Sequence, residues 1–394
     1  MTPDPSGHAH AAVPPWRDVR VLRIVAQTVA VIVVAVLIGL AVRNMLMAME
    51  ARGLGFGFGF LNRSAGFEIS ESPIPYRPSD TYGTAFIVGL LNTLFVSVIG
   101  IVLATVLGIV VGVARLSPNW LVNKIASGYV EVMRNTPLLV QLFIIYFAIF
   151  LQLPSVGDTI AWGEAVFLNQ RGIFVPAPQA QASFGMWVAL IGIGLVVAIV
   201  AGRVAGRREL DGRPVPGLRL AGMGAFVGLA VIGWFVAAGP LEFEMPIRER
   251  FNFVGGLRLS PEFSALLFGL VVYTAAFIGE VVRGGIQAVR RGQVEAARAL
   301  GLSERQTLRL VVFPQALRVI VPPLTSQYLN LAKNSSLAVA IGYPDLFKVG
   351  QTMANQTGQP VPVIILVMST YLAISLVTSL FMNIYNRRVQ VLER

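Results

Sequence analysis

The chain has 394 residues, of which 55% are hydrophobic and only 13% are charged. Soluble domains average about 25% charged residues, so this composition excludes an ordinary soluble protein and favours one embedded in a lipid bilayer. The net charge of +11 does not indicate nucleic acid as a partner, because Lys and Arg collect in the cytoplasmic loops of membrane proteins, and the absence of cysteine excludes disulfides and thiol chemistry.

Eight stretches are apolar and long enough to cross or nearly cross a bilayer, which takes about 20 residues of helix. The sixth contains Glu280, and the seventh contains Lys333, Pro322 and Pro323, which makes it the weakest candidate. The sequence therefore predicts an all-α polytopic membrane protein with about eight transmembrane helices. In chain order the stretches are 24–42, 84–114, 135–153, 184–202, 220–239, 263–282, 319–342 and 361–385.

Residues 1–23 form a polar segment that is predicted to be a cytoplasmic tail. A metal site at His8 and His10 would need further ligands nearby, so we interpret this pair as part of an irregular tail. The first apolar stretch follows basic residues as a signal peptide does. However, it is longer than the apolar region of a signal peptide, and no small-residue cleavage site follows closely. It is therefore predicted to be a retained anchor.

The positive-inside rule selects an orientation for the eight stretches. Placing the N terminus in the cytoplasm puts most Lys and Arg residues on cytoplasmic segments, so both termini are predicted to be cytoplasmic. The long outer segments 43–83 and 154–183 do not resemble folded domains. The Gly/Phe alternation at 53–60 lacks the strand and helix that flank a nucleotide-binding loop, and it indicates a flexible or substrate-shielding loop.

The cytoplasmic segment 284–318, between the sixth and seventh stretches, is too polar to face lipid. Residues 293–300 favour a helix, and Gly301 suits the left-handed position that ends one. Ser303 and Gln306 have the spacing of a capping box, which opens a second helix. The segment is therefore predicted to contain two short helices joined at a sharp turn.

The first of these helices carries a small apolar surface. Ala296, Ala297 and Leu300 recur at spacings of three and four, so they are predicted to share one face that a partner's backbone can approach closely. The second helix begins at Glu304 and is predicted to end at Pro314, where the chain turns back toward the membrane.

This segment resembles the EAA loop of ATP-binding-cassette (ABC) importer permeases, in which Glu-Ala-Ala is followed by a glycine and later by Ile-x-Leu-Pro. Glu295, Ala296 and Ala297 supply the triplet, Gly301 the glycine and Pro314 the final proline, all in register. Val and Phe stand where the family has Ile and Leu, which keeps the hydrophobic role. The resemblance implies an ATPase-coupling segment that includes Glu295, Ala296, Ala297, Leu300, Gly301, Ser303 and Pro314.

The resemblance also implies partners. In the family this loop is a coupling helix that sits in a groove of an ATPase dimer, and the permease itself catalyses no reaction. The sequence contains no Gly-x-x-x-x-Gly-Lys-Ser/Thr phosphate loop, so ATP and Mg²⁺ are expected on the partner ATPase and no cofactor is expected in this chain. The expected assembly adds a second permease subunit, a homologous sister chain, and a periplasmic binding protein, all at a bacterial inner membrane.

Further stretches resemble the polar amino-acid branch of these permeases. The first, fourth and fifth apolar stretches look like additions to a five-helix type I importer core, as in one subunit of the general L-amino-acid or acidic-amino-acid and amide uptake systems of proteobacteria. The similar stretches are 89–94, 131–141, 277–286, 314–318 and 333–337. The implied organisation is a tail at 1–23, an extra helix and outer loop at 24–83, core at 84–153, inserted loops and two extra helices at 154–262, and core with the coupling loop at 263–394.

An amino-acid cargo needs polar groups along the translocation path, because burying ionisable groups in a membrane costs about 2.5 to 3.5 kcal/mol each. Lys333, with Asn334 and Ser335 beside it, is a candidate to attract an α-carboxylate. Candidate hydrogen-bonding groups are Asn135, Thr136 and Gln141. The alternative is that these side chains satisfy backbone groups of helices broken at proline.

Two features near the cytoplasmic ends of the stretches have simpler alternatives. Glu280 and Arg283 lie three apart on one helix face and form either a gate contact or an ion pair. Arg134 is a third member of this gate, or it extends its charge to the interface. The glycine pairs 108/112 and 224/228 permit close helix packing, either at a seam between subunits or within one subunit, and we expect the second.

Two functions other than that of an ABC importer permease would require different sequence features. An ion-gradient-driven secondary transporter would show inverted halves and acidic residues within the membrane, but Glu280 stands alone. A membrane enzyme would need a catalytic or metal constellation, and both histidines lie in the tail. The sequence therefore predicts a permease subunit that moves polar L-amino acids into the cytoplasm by alternating access.

Overall fold

A computed structural model describes residues 19–51, 57–210, 215, 217–249 and 252–389. His8, His10 and part of the Gly/Phe alternation lie outside these residues. Helices dominate the described chain, as predicted. They are α1 Val19–Ala51, α2 Tyr82–Ala114, α3 Trp120–Asn135, α4 Leu138–Phe143, α5 Phe184–Leu210, α6 Leu218–Val236, α7 Pro261–Gln287, α8 Arg291–Ala299, α9 Glu304–Thr307, α10 Phe313–Asn334, α11 Leu346–Thr357 and α12 Pro360–Val389.

Seven helices in the described ranges are long and apolar enough to cross a membrane, and the count rises to eight if a bent pair is one span. This number confirms the prediction of about eight. The bent pair corresponds to the third predicted stretch. There α3 meets the helix 138–152 at an angle of 106°. The break falls at Pro137, which lacks a backbone N–H and disfavours helical geometry in the residue before it.

Short strands also occur in segment 154–183, where the sequence analysis predicted no regular structure. Strands from this segment pair with strands that follow α6, more than 60 residues later. Strands of two to four residues cannot bury a face alone, so the local sequence gives little signal. The strands are β1 Ile160–Trp162, β2 Val166–Asn169, β3 Gly172–Val175, β4 Ala177–Ala180, β5 Leu241–Glu244, β6 Ile247–Arg248, β7 Phe253–Val254 and β8 Leu257–Leu259.

The largest sheet has the order β1-β2-β3-β8, with antiparallel pairs throughout. An aromatic cluster accompanies it: Phe174 and Phe253 are buried, and their ring centroids lie 4.7 Å apart. Because β8 leads directly into α7, the sheet fixes where that helix begins.

The described chain divides into two compact units. The smaller unit contains residues up to Glu68, Tyr76–Ile87 and Val349–Leu372. Within it Phe60 is buried and contacts the ring of Tyr82 edge-on, with 6.1 Å between centroids. The described end of the Gly/Phe alternation is therefore packed.

The larger unit contains the remaining residues and centres on α7, which packs against α3, α4 and α10. Glycines allow α2 to pack closely on α7. A Cβ at Gly108 would lie 2.5 Å from a side-chain carbon of Ile278, and one at Gly112 would lie 2.7 Å from the carbonyl oxygen of Gly279. The prediction that the first glycine pair packs within the subunit is confirmed.

The helices α5 and α6 pack on each other as a hairpin. Gly222 is buried at this contact, where an added Cβ would lie 2.7 Å from the Cβ of Ala201. An added Cβ at Gly224 or Gly228 would meet nothing within 4 Å. The prediction that this second pair packs within the subunit is therefore wrong, because a shift of two residues turns it away from the contact.

Candidate functional site

The turn after α8 has the predicted geometry. Gly301 has a φ of +76°, in the left-handed region that glycine adopts without steric cost. The N–H of Leu302 donates to the carbonyl of Ala297 over 3.2 Å, and the N–H of Gly301 donates to the carbonyl of Arg298 over 2.9 Å. These two bonds form a Schellman motif, which satisfies the last carbonyls of the helix.

The capping box at the start of α9 is also confirmed. Ser303 Oγ accepts from the N–H of Gln306 over 3.4 Å, and Gln306 Oε1 accepts from the N–H of Ser303 over 2.9 Å. Donors at the start of a helix have no partner within the helix, so this reciprocal pair stabilises the entry to α9. Arg298 and Glu304 bridge the turn with 3.6 Å between Nη2 and Oε1.

The residues of the predicted apolar face of α8 do not share one environment in the structure. Ala297 is only 3% exposed, whereas Ala296 is exposed and Leu300 is 82% exposed. The reason is that α8 packs against the helical turn 308–312, and Ala297 lies on the packed side. Ala297 therefore belongs to the interior of this segment, and it is not part of an outward face.

Pro314 does not end the second helix, which corrects the sequence prediction. A helix runs from Glu304 to Ala340, through Pro314 and the later prolines. The turn 308–312 before the proline is π-helical, and the N–H of Phe313 donates to the carbonyl of Leu308, five residues back. A wider π-helical turn gives the proline ring room, so the helix continues although Pro314 lacks a backbone N–H.

The exposed part of the segment is apolar with basic neighbours. Glu295, Ser303 and Pro314 are exposed, as Leu300 is, and so are the basic residues Arg305 and Arg309. Large apolar side chains of the second helix are also more than half exposed: Leu308, Leu310 and Phe313. A partner that covered Leu300 would stabilise the contact by about 2 kcal/mol from this side chain alone.

Glu280, near the C-terminal end of α7, contacts more arginines than the sequence analysis identified. Arg283 Nη2 lies 2.5 Å from Glu280 Oε1, so these two side chains form an ion pair. Arg115, which follows α2, pairs with Glu280 Oε2, and Arg134 Nη1 lies 3.9 Å from the same oxygen. Arg134 also lies over the ring of Phe277, 5.4 Å from its centroid. Because Arg115 is 165 residues from Glu280 in sequence, no local pattern indicates this contact.

The candidates at the α3–α4 break differ from one another. Gln141 is buried, and its Nε2 donates to the carbonyls of Met133 and Thr136, each over 2.9 Å. Its N–H groups therefore satisfy carbonyls at the end of α3, while its Oε1 is buried without a hydrogen-bond partner among the described residues. Asn135 is exposed and Thr136 is partly exposed.

The candidate residues around Lys333 also differ in burial. Ser335 is fully buried, and its Oγ donates to the carbonyl of Ala332 over 2.8 Å. Lys333 is exposed and Asn334 is partly exposed, at the end of α10. Among the described residues, no group of three or more His, Cys, Asp or Glu side chains could hold a metal ion.

Comparison with known proteins identifies the family to which this chain belongs. Residues 104–391 match the family described as the binding-protein-dependent transport system inner membrane component. The chain belongs to this family of membrane transport permeases.

Curated relatives extend the similarity along most of the chain. A putative amino-acid ABC transporter permease protein of Escherichia coli K12 (YhdX) is 45% identical over 93% of this chain and 94% of its own length. A general L-amino acid transport system permease protein of Rhizobium johnstonii (AapQ) is 45% identical over 85% of this chain and 84% of its own. A glutamate/glutamine/aspartate/asparagine transport system permease protein of Rhodobacter capsulatus (BztB) is 37% identical over 85% of this chain and 86% of its own.

These relatives are transport subunits, so the prediction that this permease is not an enzyme is confirmed. The family match begins within α2 and includes the turn at Gly301, the Glu280 cluster and α10. Sequence reasoning missed Arg115, whose contact with Glu280 depends on the packing of α2 on α7.

Proposed function

We propose that this permease carries polar L-amino acids across a bacterial inner membrane by alternating access, driven by ATP hydrolysis on a separate ATPase dimer. The relatives that match most of its length are named as amino-acid permeases of this class. The structure of the segment around Gly301 supports a mechanical role, because two capped helices joined at a rigid turn can transmit a force.

The observation that carries the proposal is the exposed apolar surface of this segment. Leu300 is 82% exposed, and Leu310 of the following helix is 60% exposed. Isolated apolar residues are common on surfaces, but several large ones exposed within one short polar segment favour an interaction site. We assign this surface to the ATPase, which would hold the ATP and Mg²⁺.

We infer the other subunits of the assembly from the same class of transporter. It contains a homologous sister permease and a periplasmic amino-acid-binding protein that delivers the cargo. Both termini lie in the cytoplasm, which places the turn at Gly301 on the ATPase side and the β-strands on the outer side. No observation in the described residues favours the ion-gradient-driven alternative.

The contact is tested by cross-linking. The natural chain contains no cysteine, so Leu300→Cys introduces a unique thiol. In the purified assembly a short bifunctional maleimide is expected to link this position to a cysteine in the groove of the ATPase, whereas Trp162→Cys in β1 gives no such link. Both positions are well exposed, which makes them a matched pair.

Energy coupling is tested separately by uptake into vesicles. Replacing the phosphate-loop lysine of the ATPase should abolish amino-acid uptake, and collapsing ion gradients while ATP is maintained should leave it intact. Uptake that persists without ATP hydrolysis would overturn the proposal in favour of a secondary transporter.

A further inference from the structure

A cavity of about 360 Å³ opens at the N-terminal end of α7, the opposite end from the segment around Gly301. Its lining comes from residues 70–73, from α2, from β8 and the start of α7, and from Tyr343. All of these belong to the larger compact unit. Sites for small molecules have volumes of about 300 to 1,000 Å³, so this cavity has room for one small metabolite.

Ionisable groups of both signs converge on the cavity. Glu71 and Glu262 contribute two carboxylates, and Arg258 contributes a guanidinium. Glu262 Oε1 accepts a hydrogen bond from the hydroxyl of Tyr146 over 2.7 Å, and Arg258 Nε donates to the carbonyl of Arg171 over 3.0 Å. These bonds hold Glu262 and Arg258 in place, which reduces the entropy that a ligand would have to remove on binding.

The backbone beside Glu71 is also held in place. Asn92 is 2% exposed, and its Nδ2 donates to the carbonyls of Glu71 and Pro344, each over 2.9 Å. The hydroxyl of Tyr343 donates to the carbonyl of Asn92 over 3.4 Å. A buried amide with two backbone partners fixes residue 71 at the edge of the cavity, so its carboxylate does not depend on a mobile loop.

Aromatic rings form one wall of the cavity. Phe263 stacks on Phe95 with 5.7 Å between centroids and lies 5.9 Å from the ring of Tyr343. Aromatic faces attract ammonium groups and also pack against aliphatic side chains. The cavity therefore combines an apolar wall with paired charges of opposite sign.

We propose that this cavity binds a free α-amino acid, with its ammonium group between Glu71 and Glu262, its carboxylate at Arg258 and its side chain against the aromatic wall. The inference rests on the proposed function and deepens it, because it gives the cargo a binding site on the permease at the end remote from the ATPase. A zwitterion needs separated groups of both charges, and an acidic patch alone would not bind its carboxylate.

The environment of Glu71 makes this site sensitive to pH. Burial, with a smaller contribution from the negative charge of Glu262, raises the pKa of Glu71 to about 7, against the opposing positive charge of Arg258. Burial raises the pKa of Tyr343 as well, so that hydroxyl stays neutral. Below about pH 7 the Glu71 carboxyl is neutral and attracts an ammonium group weakly. Affinity should therefore fall on acidification, by at most about tenfold per pH unit.

The test uses the purified full-length assembly in lipid nanodiscs without its binding protein. Each of the twenty standard L-amino acids is screened by thermal shift, and the strongest is titrated by calorimetry at about pH 8, where Glu71 is ionised. Glu71→Gln and Arg258→Gln are each expected to weaken binding at least about tenfold, since a charged hydrogen bond contributes about 1.5–3 kcal/mol. Glu164→Gln, an exposed carboxylate between β1 and β2, should bind as the natural chain does.

Two further measurements are needed. One distinguishes substrate binding at this cavity from a structural role of its residues, and the other tests the proposed function independently. The natural chain should lose affinity between about pH 8 and pH 6, whereas Glu71→Gln should show a flat profile. ATP-driven uptake with the binding protein present tests the proposed function independently. If uptake occurs but no amino acid binds, or both cavity variants bind normally, the inference is overturned and the proposed function stands.

Discussion

Individual side chains near the predicted path differ in whether their hydrogen bonds are used within the subunit. Gln141 and Ser335 donate to backbone carbonyls of neighbouring helix ends, so these donors are satisfied within the subunit. Lys333 and Asn135 are exposed in the single chain. Since a buried polar group needs a partner, the donors of Gln141 and Ser335 have a structural explanation, although Gln141 Oε1 is buried without a hydrogen-bond partner in the described part of the chain. Lys333, which is exposed and charged, is the stronger candidate for contact with substrate.

Lys333 gives a prediction at this scale. Lys333→Gln removes the charge but keeps a polar side chain, and it should raise the KM for amino-acid uptake about tenfold or more, because a hydrogen bond to a charged group contributes about 1.5–3 kcal/mol. Initial-rate uptake into vesicles measures this change. Lys124→Gln removes an exposed positive charge from α3 and should leave KM unchanged. Equal effects of the two substitutions would contradict a role for Lys333 in substrate binding.

Arg115 shows how distance in sequence hides a contact. The pair Glu280 and Arg283 is visible from its spacing of three on a helix, whereas Arg115 reaches Glu280 only after α2 packs on α7. The close approach of these helices depends on Gly108 and Gly112. The charge cluster around Glu280 therefore contains one ion pair that the local spacing predicts and one that depends on helix packing.

Among the elements, the pair α8 and α9 follows its local sequence most closely. The Schellman bonds at Gly301 and the capping box at Ser303 involve residues within five positions of each other. Such contacts form from local sequence alone, which is why both were predicted. The continuation of the helix through Pro314 depends on a π-helical turn, and the sequence pattern does not specify that turn.

Gly301 gives the prediction for this element. Gly301→Leu should abolish uptake while the protein still inserts in the membrane, because a leucine at a φ of +76° is strained by roughly 1–2 kcal/mol and the turn shifts. Gly301→Asn is the matched control, since asparagine has a similar size but tolerates left-handed geometry. It should retain most uptake. Equal loss in both variants would show that side-chain bulk, and not the backbone angle, decides the effect.

At the scale of the whole molecule, the distribution of basic residues predicts which side of the membrane each loop faces. Because the natural chain has no cysteine, single-cysteine variants report exposure to each side without background. Trp162→Cys should react with a membrane-impermeant maleimide added from the periplasmic side. Leu300→Cys should react only after the inner membrane is opened, with denatured samples as the labelling control. The reverse pattern would overturn the orientation and place the Gly301 turn out of reach of any cytoplasmic ATPase.

The sequence by itself determined the helical membrane class, the number of candidate spans and the geometry around Gly301. These properties depend on hydrophobic length and on contacts within one turn of helix. Tertiary structure alone decided that Ala297 is buried, that Arg115 reaches Glu280, that strands before α5 pair with strands after α6, and that Glu71 shares a cavity with Glu262. Each of these joins residues that are separated along the chain, and their meeting depends on how whole elements pack.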